Sequence, residues 1–421
     1  MSYQYLPRIV DSVLDTALRT SGAVLIEGPK WCGKTRTAGE RANSVLHMQD
    51  PDYRESYLKA ADTKPSLLLK GDTPRLIDEW QMAPVLWDAV RFAVDQRQLK
   101  SQFILTGSAV PRDNVVAHTG TGRIVRMIMR PMTLFESKES NGSISLRDLF
   151  NGSTDGDCMS TLDVETLAYA LARGGWPASV GEDKIVGLQR VYDYVDAVIN
   201  ADISEVDGVE KSPARVRALM RSLARNISTM ASIATIHSDI AGNEGSISEK
   251  TISSYLNALR RIFVVEDLPA WSPAMRSKTT IRTSSKRHFC DPSIAIAVLR
   301  ATPDGLLQDF NTFGFLFESL CVRDLRVYAQ ALDGELFHYR DRNGLEADAV
   351  IHLKDGRWGA IEVKMGAKEI ETAAENLKTL RDKVNLDKMQ EPAFLMILTA
   401  TEFGYQREDG VYVIPIGCLK D

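Results

Sequence analysis

Cysteine is scarce in this chain, and no stretch of about 18 residues runs without a polar or charged break. The five cysteines, Cys32, Cys158, Cys290, Cys321 and Cys418, are scattered, odd in number and never paired as C-x-x-C. That pattern excludes a disulfide framework and a cysteine zinc site, and the thiols read as reduced. The missing apolar run excludes a membrane-spanning helix. The start, Met-Ser-Tyr-Gln-Tyr-Leu-Pro-Arg, shows no basic leader followed by an apolar stretch, so a cytoplasmic protein is expected. An excess of positive charge is lacking too: 51 Lys and Arg stand against 56 Asp and Glu, a net charge of -5. No global field draws such a chain onto nucleic acid or acidic lipid, and any such binding must use a local patch. What remains is an ordinary soluble composition, 44% hydrophobic and 25% charged over 421 residues, with length enough for two or three domains.

Short apolar runs at Ser21 to Glu27, Leu67 to Leu69, Leu76 to Ile77 and Phe103 to Leu105 alternate with stretches of helical spacing such as Val85 to Val94. Strands alternating with helices predict an α/β domain with a largely parallel sheet. The run Ser137 to Asp157, rich in Ser, Gly, Asn and Asp, predicts the first boundary, giving an N-terminal domain over 1-150. From Val164 to Ile262 the apolar residues recur at helical spacing, as in Leu219, Leu223 and Ile227. Short helices ending at Phe263-Val264-Val265 suggest a winged-helix-like middle domain over 151-275. Arg276 to His288 reads as a basic connector. Beyond it a helix over Phe313 to Val327 and strands over Leu336 to Arg340, Ala347 to Leu353 and Trp358 to Val363 predict an α+β domain over 276-421.

The most specific signal is Gly28-Pro29-Lys30-Trp31-Cys32-Gly33-Lys34-Thr35-Arg36, in which the first eight residues fit G-x-x-x-x-G-K-[ST] between a strand and a helix. Glycines let backbone N–H groups curl around phosphate oxygens, Lys34 would neutralise β/γ charge, and Thr35 would hold Mg²⁺. Some forty residues on, Leu76-Ile77-Asp78-Glu79 ends an apolar run in two acids. Asp78 would orient Mg²⁺ and Glu79 would polarise an attacking water. A third apolar run ends in Thr106-Gly107-Ser108, whose hydroxyls would face the γ-phosphate.

In this order and spacing GPKWCGKT, LIDEW and FILTGS resemble the prokaryotic AAA-type P-loop ATPases that carry a C-terminal domain of long-uncharacterised function. Further matching stretches are Gly120-Thr121-Gly122-Arg123, Arg130-Pro131-Met132-Thr133-Leu134-Phe135-Glu136, Gly174-Gly175-Trp176-Pro177 and Phe289-Cys290-Asp291. The resemblance implies Mg-ATP binding at Lys34 and Thr35, hydrolysis supported by Asp78 and Glu79, and a γ-phosphate sensor at Thr106 or Ser108. Arg123 falls where the family shows a glycine-arginine pair and would stabilise the transferred phosphoryl group, in its own subunit or in a neighbour's. Trp31-Cys32 is bulkier than the residues often found within the loop and leaves its glycine and lysine spacing intact.

Near the C-terminus, Asp348 in a strand-like run is followed fourteen residues later by Glu362-Val363-Lys364, with Glu362 and Lys364 on one strand face. With Glu318 on the preceding helix, this order is similar to the PD-(D/E)XK nuclease core, without its proline-aspartate pair. The expectation is a divalent ion, Mg²⁺ or Mn²⁺, held by Glu318, Asp348 and Glu362, with Lys364 beside the reacting phosphate. Alternating acids and lysines on a solvated strand would look the same.

Positive charge gathers at Lys211, Arg215, Arg217, Arg221 and Arg225, and at Arg276, Lys278, Arg282, Lys286 and Arg287, both without an acid. These stretches are the expected nucleic-acid surface, with solvated helix faces as the plain alternative. Three functions are therefore expected: an ATPase whose nucleotide state controls a nucleic-acid-directed nuclease-like domain, an ATP-dependent switch or scaffold with an inactive nuclease-like domain, or a metal-dependent nuclease gated by ATP. ATP and Mg²⁺ are the expected cofactors, and self-assembly into a homo-oligomer belongs to the same reading.

Overall fold

Five consecutive buried residues, Ala-Val-Leu-Ile-Glu, form strand β1 (Ala23–Glu27), and a run apolar on both faces is what a central parallel strand requires. In the computed structural model, which describes residues 5–108, 120–206, 208–241, 247–273, 284–384 and 389–421, β1 belongs to a five-stranded sheet. Its other members are β2 (Ser44–His47), β3 (Arg75–Asp78), β4 (Phe103–Gly107) and β5 (Ile124–Ile128). All pairings are parallel and the order is β2-β3-β4-β1-β5. Helices α1 (Val10–Thr20), α2 (Lys34–Gly39), α3 (Arg54–Thr63) and α4 (Val85–Arg97) accompany it. One apolar cluster joins Leu25, Ile77 and Leu105 to Trp80, Trp87 and Val90. The other joins Val24, Ile26, Leu76 and Ile104 to Leu14 and Leu18, so both sheet faces are covered.

The chain divides into two compact units. This sheet belongs to the first, Met1–Pro131 with Ala201–Glu210 and Ala258–Val264; the second is Met132–Asn200, Lys211–Asn257 and Val265–Asp421. The second unit has a seven-stranded sheet in the order β7 (Cys158–Met159), β12 (Phe403–Gln406), β13 (Tyr412–Pro415), β11 (Phe394–Thr399), β10 (Trp358–Lys364), β9 (Glu346–Leu353) and β8 (Gly334–Arg340). A meander, β8, β9 and β10, continues by parallel pairing into β11 and β13. The helix Phe310–Ala331 precedes it, and the helix Ile370–Lys383 packs Ala373, Leu377 and Leu380 against Trp358, Ala360 and Ile397. These elements enclose the strands and helix expected from the sequence and extend each by one to seven residues.

The Ser- and Gly-rich run Ser137 to Asp157 is structured. It contains β6 (Ile144–Ser145) and the helix Leu146–Asn151, and leads into β7 (Cys158–Met159). β6 pairs with β14 (Leu419–Lys420), and β7 pairs with β12 (Phe403–Gln406). Its polar side chains bond backbone here: Ser140 Oγ donates to Leu419 O at 2.8 Å and Ser145 Oγ to Asp421 O at 2.7 Å. Loop-like composition thus marks local side-chain-to-backbone bonding, which serves turns and packed edges alike.

A buried charge network holds three of the quoted stretches together. Arg323 Nη1 lies 2.9 Å from Asp291 Oδ2 and its Nη2 2.7 Å from Asp324 Oδ1, all three side chains fully enclosed. Gly175 N–H donates to Asp291 at 2.9 Å, Leu134 N–H donates to Asp324 at 2.9 Å, and Met132 N–H donates to Gly175 O at 2.6 Å. A Cβ on Gly175 would sit 2.1 Å from Met132 O, so only glycine fits. Among the described residues no helix is long and apolar enough to cross a membrane.

Candidate functional site

Register gathers the first site. Because β4 lies between β1 and β3, Glu27 stands beside Gly107, Thr106 beside Asp78, and Asp78 beside His47, all at the carboxyl ends of the strands. The edge beyond the carboxyl ends of such a sheet is where ligands are held in open α/β folds. Gly28 leaves β1 with φ 152, and a Cβ there would meet Met129 O at 2.1 Å. Gly33 caps α2 at φ 103. The loop folds Lys34 inward: its Nζ donates to Gly28 O at 2.9 Å and to Pro29 O at 2.7 Å. Arg8, to which no motif pointed, donates to Cys32 O of the loop and to Arg130 O beyond β5, each at 2.8 Å.

Asp78 is the hub. Its Oδ1 accepts from Thr35 Oγ1 at 2.7 Å and from Thr106 Oγ1 at 2.6 Å, and its Oδ2 lies 3.1 Å from His47 Nδ1. Glu79 follows at φ 56, a left-handed conformation that costs a non-glycine residue about 1–3 kcal/mol. Ser108 Oγ donates to Glu79 Oε1 at 3.1 Å, and Gln81 Nε2 holds Oε2. A hydroxyl and a carboxylate in contact at a phosphate-type loop are hard oxygen donors suited to Mg²⁺, which takes few protein ligands and keeps phosphate and water for the rest. Lys30 reaches Asp202 Oδ1 at 2.6 Å, Arg36 reaches Glu40 at 3.4 Å, Cys32 is buried, and Trp31 is exposed. Burial pushes the Glu27 carboxyl up, offset in part by Arg126 at 3.4 Å.

The second cluster lies in the other unit. Glu362 and Lys364 share a face of β10, Asp348 stands near the start of β9, and Glu318 lies on the helix Phe310–Ala331. Lys286 is the unexpected member. Its Nζ is 2.7 Å from Glu318 Oε1 and 2.9 Å from Asp348 Oδ1. Lys364 Nζ is 2.7 Å from Glu362 Oε2 and 3.6 Å from Asp348 Oδ2, which also accepts Val363 N–H at 2.9 Å. Burial, then the Asp348 charge, pushes Glu318 and Glu362 each up to about 8. Burial opposes ionisation of Asp348 as well, but the Lys286 and Lys364 ammoniums hold it below the usual carboxylate range. The expected divalent site at Glu318, Asp348 and Glu362 does not fit this arrangement, because an ammonium bridges the oxygens an ion would need. Among the described residues no group of three His, Cys, Asp or Glu side chains is set to hold a metal ion.

Residues 20–138 match the AAA domain family. Residues 164–305 and 313–419 match two domains of unknown function, DUF8612 and DUF4143. No curated protein matches the chain. Among solved structures, the Walker-type ATPase of Pyrococcus abyssi is similar at 14% identity, covering 71% of this chain and 97% of its own with a TM-score of 0.42. A DNA replication initiation factor has 14% identity, 60% and 86% coverage and a TM-score of 0.27. Drosophila ORC bound to DNA has 13% identity, 69% and 94% coverage and a TM-score of 0.24. Residues 20–138, which carry the parallel sheet and the glycine-spaced loop, are thus similar to the AAA domain family.

Within residues 20–138, Arg123 does not join the loop. It precedes β5, whose Ile124 is level with Ala23, so it sits at the opposite end of the sheet, roughly 15 Å away along the strands. Its Nε is 2.7 Å from Asp95 Oδ1. A catalytic role in its own subunit is therefore corrected. Of the basic stretches, burial removes Lys211 and Lys286 from the expected surface, while Arg217 and Arg225 stay exposed. Arg287 pairs with Asp267 at 2.8 Å, Arg217 with Asp196 at 3.1 Å, and Arg225 with Asp239 at 3.8 Å. Arg221 is exposed on the same helix. Arg276, Lys278 and Arg282 lie outside the described residues.

His47, Gln81, Arg8 and Lys286 are the site residues that sequence reasoning missed. His47 carried a faint signal, a polar residue ending a short apolar run as Asp78 and Thr106 do.

Proposed function

We propose that this protein is an Mg²⁺-dependent ATPase whose nucleotide state controls binding of nucleic acid by its middle and C-terminal regions. The observation that carries the reading is the meeting of Thr35, Thr106 and Asp78 within 2.7 Å beside the loop that holds Lys34. Thr35 and Asp78 would hold Mg²⁺, which when bound offsets phosphate charge. Lys34 would exchange its two loop carbonyls for phosphate oxygens. Glu79, fixed by Ser108 and Gln81, would orient water toward the γ-phosphate, and Thr106 and Ser108 would sense that group. Gly28, Pro29, Lys30, Trp31, Cys32, Gly33 and Arg36 complete the loop and its flank.

The division into 1-150, 151-275 and 276-421 is part of the same proposal. A winged-helix-like middle is supported by the helices Pro213–Arg225, Ile233–Ala241 and Glu249–Arg261, followed by antiparallel bridges at Val265–Phe289 and Leu268–Lys286. The meander and parallel extension of the second sheet, with acids at one end, support a nuclease-like fold. The Lys286 bridge favours the second reading for that region, an ATP-driven switch whose C-terminal domain binds without cleaving.

Lys34→Ala is expected to lower ATP turnover by a hundredfold or more, on the order of losing a transition-state charge contact, with an unchanged circular dichroism spectrum. Undiminished hydrolysis by that variant would sink the assignment. Incubating wild type with single- and double-stranded DNA and RNA, with and without ATP, in Mg²⁺ and Mn²⁺, is expected to give nucleotide-dependent retention and no cleavage.

A further inference from the structure

The PD-(D/E)XK resemblance implies a divalent ion at the carboxylates of the second unit, and the side chains present do not suit one. We propose that the Lys286 ammonium is the resident cation of this cluster, standing between Glu318 and Asp348 where a divalent metal would otherwise bind. Four observations converge on it.

The first is distance. Lys286 Nζ lies 2.7 Å from Glu318 Oε1 and 2.9 Å from Asp348 Oδ1. Mg²⁺ or Mn²⁺ bridging the same oxygens at about 2.0–2.6 Å would overlap the ammonium. The second is the use of two further oxygens of the cluster. Asp348 Oδ2 accepts Val363 N–H at 2.9 Å, and Glu362 Oε2 is 2.7 Å from Lys364.

The third is anchorage. Lys286 N–H donates to Leu268 O at 3.0 Å and its carbonyl accepts Leu268 N–H at 2.9 Å. Arg287 N–H then donates to Thr229 O, and Ser228 N–H donates to Arg287 O, each at 2.8 Å. The lysine therefore projects from a pinned backbone, with a side chain only 6% exposed, and differs from a surface lysine that swings aside. The fourth is charge. Three carboxyl groups face two ammoniums; a divalent ion added to that set meets two like charges at contact range. With Lys286 removed, three acids face Lys364 alone, and hard oxygen donors then suit a hard divalent ion.

The test is Mn²⁺ titration of the full chain without nucleotide, by calorimetry and electron paramagnetic resonance. Wild type is expected to show no saturable binding that depends on Asp348. Lys286→Ala is expected to take up about one Mn²⁺ per chain, at least about tenfold tighter than any residual wild-type binding, and its thermal midpoint is expected to rise with Mn²⁺. Glu362→Gln added to Lys286→Ala should remove both effects, and Lys286→Arg, which keeps a cation, should bind no Mn²⁺. Wild-type binding that disappears in Asp348→Asn would overturn the proposal. So would a folded Lys286→Ala that binds no Mn²⁺. Should Lys286→Ala fail to fold, comparison of wild type with Asp348→Asn decides alone.

Discussion

Glu318 and Glu362 show how far burial can move a side chain from its solution behaviour. Each carboxyl is pushed up to about 8 from an unfolded value near 4.5. Between these values the folded chain holds more protons than the unfolded one, so stability falls as pH rises through that window. The urea midpoint of wild type relative to Glu362→Gln, which is neutral throughout, is expected to decline from pH 5 to pH 8, because lowered histidines such as His288 and His338 act alike in both chains. A relative midpoint that rises over that range would contradict the assignment. Lys34, Thr35 and Asp78 were legible in the sequence because their chemistry requires fixed neighbours and short spacing. Lys286 was not, since it lies 62 residues from Asp348 within a basic run that reads as a solvated surface. Its burial is decided by the bridge to Leu268, a tertiary contact that residue types alone do not announce.

The buried strands of the first sheet were legible as continuous apolar runs, and the loop after β1 as a glycine-spaced turn. The position of β4 between β1 and β3 was not, although it is what brings Thr106 against Asp78. Strand order depends on crossovers, and an apolar run carries no mark of its neighbours. The network around Arg323 gives the quoted stretches at Met132, Gly175 and Asp291 a shared structural task. Arg323→Met would leave two enclosed carboxylates without their partner, a change expected to lower unfolding stability by about 3–5 kcal/mol. Denaturant unfolding of that variant checks it, and a loss under about 1 kcal/mol would show the network to be dispensable.

For the whole molecule, Arg123 offers a test of assembly. Placed far from its own loop, it would serve catalysis by reaching a neighbouring subunit's phosphate. Arg123→Ala and Lys34→Ala are each expected to lower turnover, and mixing the two should restore part of it, because an intact loop then meets an intact arginine. Steady-state ATPase assays of the mixture decide, and mixtures no more active than their parts would exclude sharing. The run Ser137 to Asp157 is tied to strands near residue 420, a relation invisible to any local window. The Ser140–Leu419 hydrogen bond spans 279 residues. At about 5–20 residues per second of synthesis, residues 140–145 wait on the order of tens of seconds for their partners. During that interval the buried edge they later form is open to solvent, so the second unit closes only after the strands near residue 420 have been made.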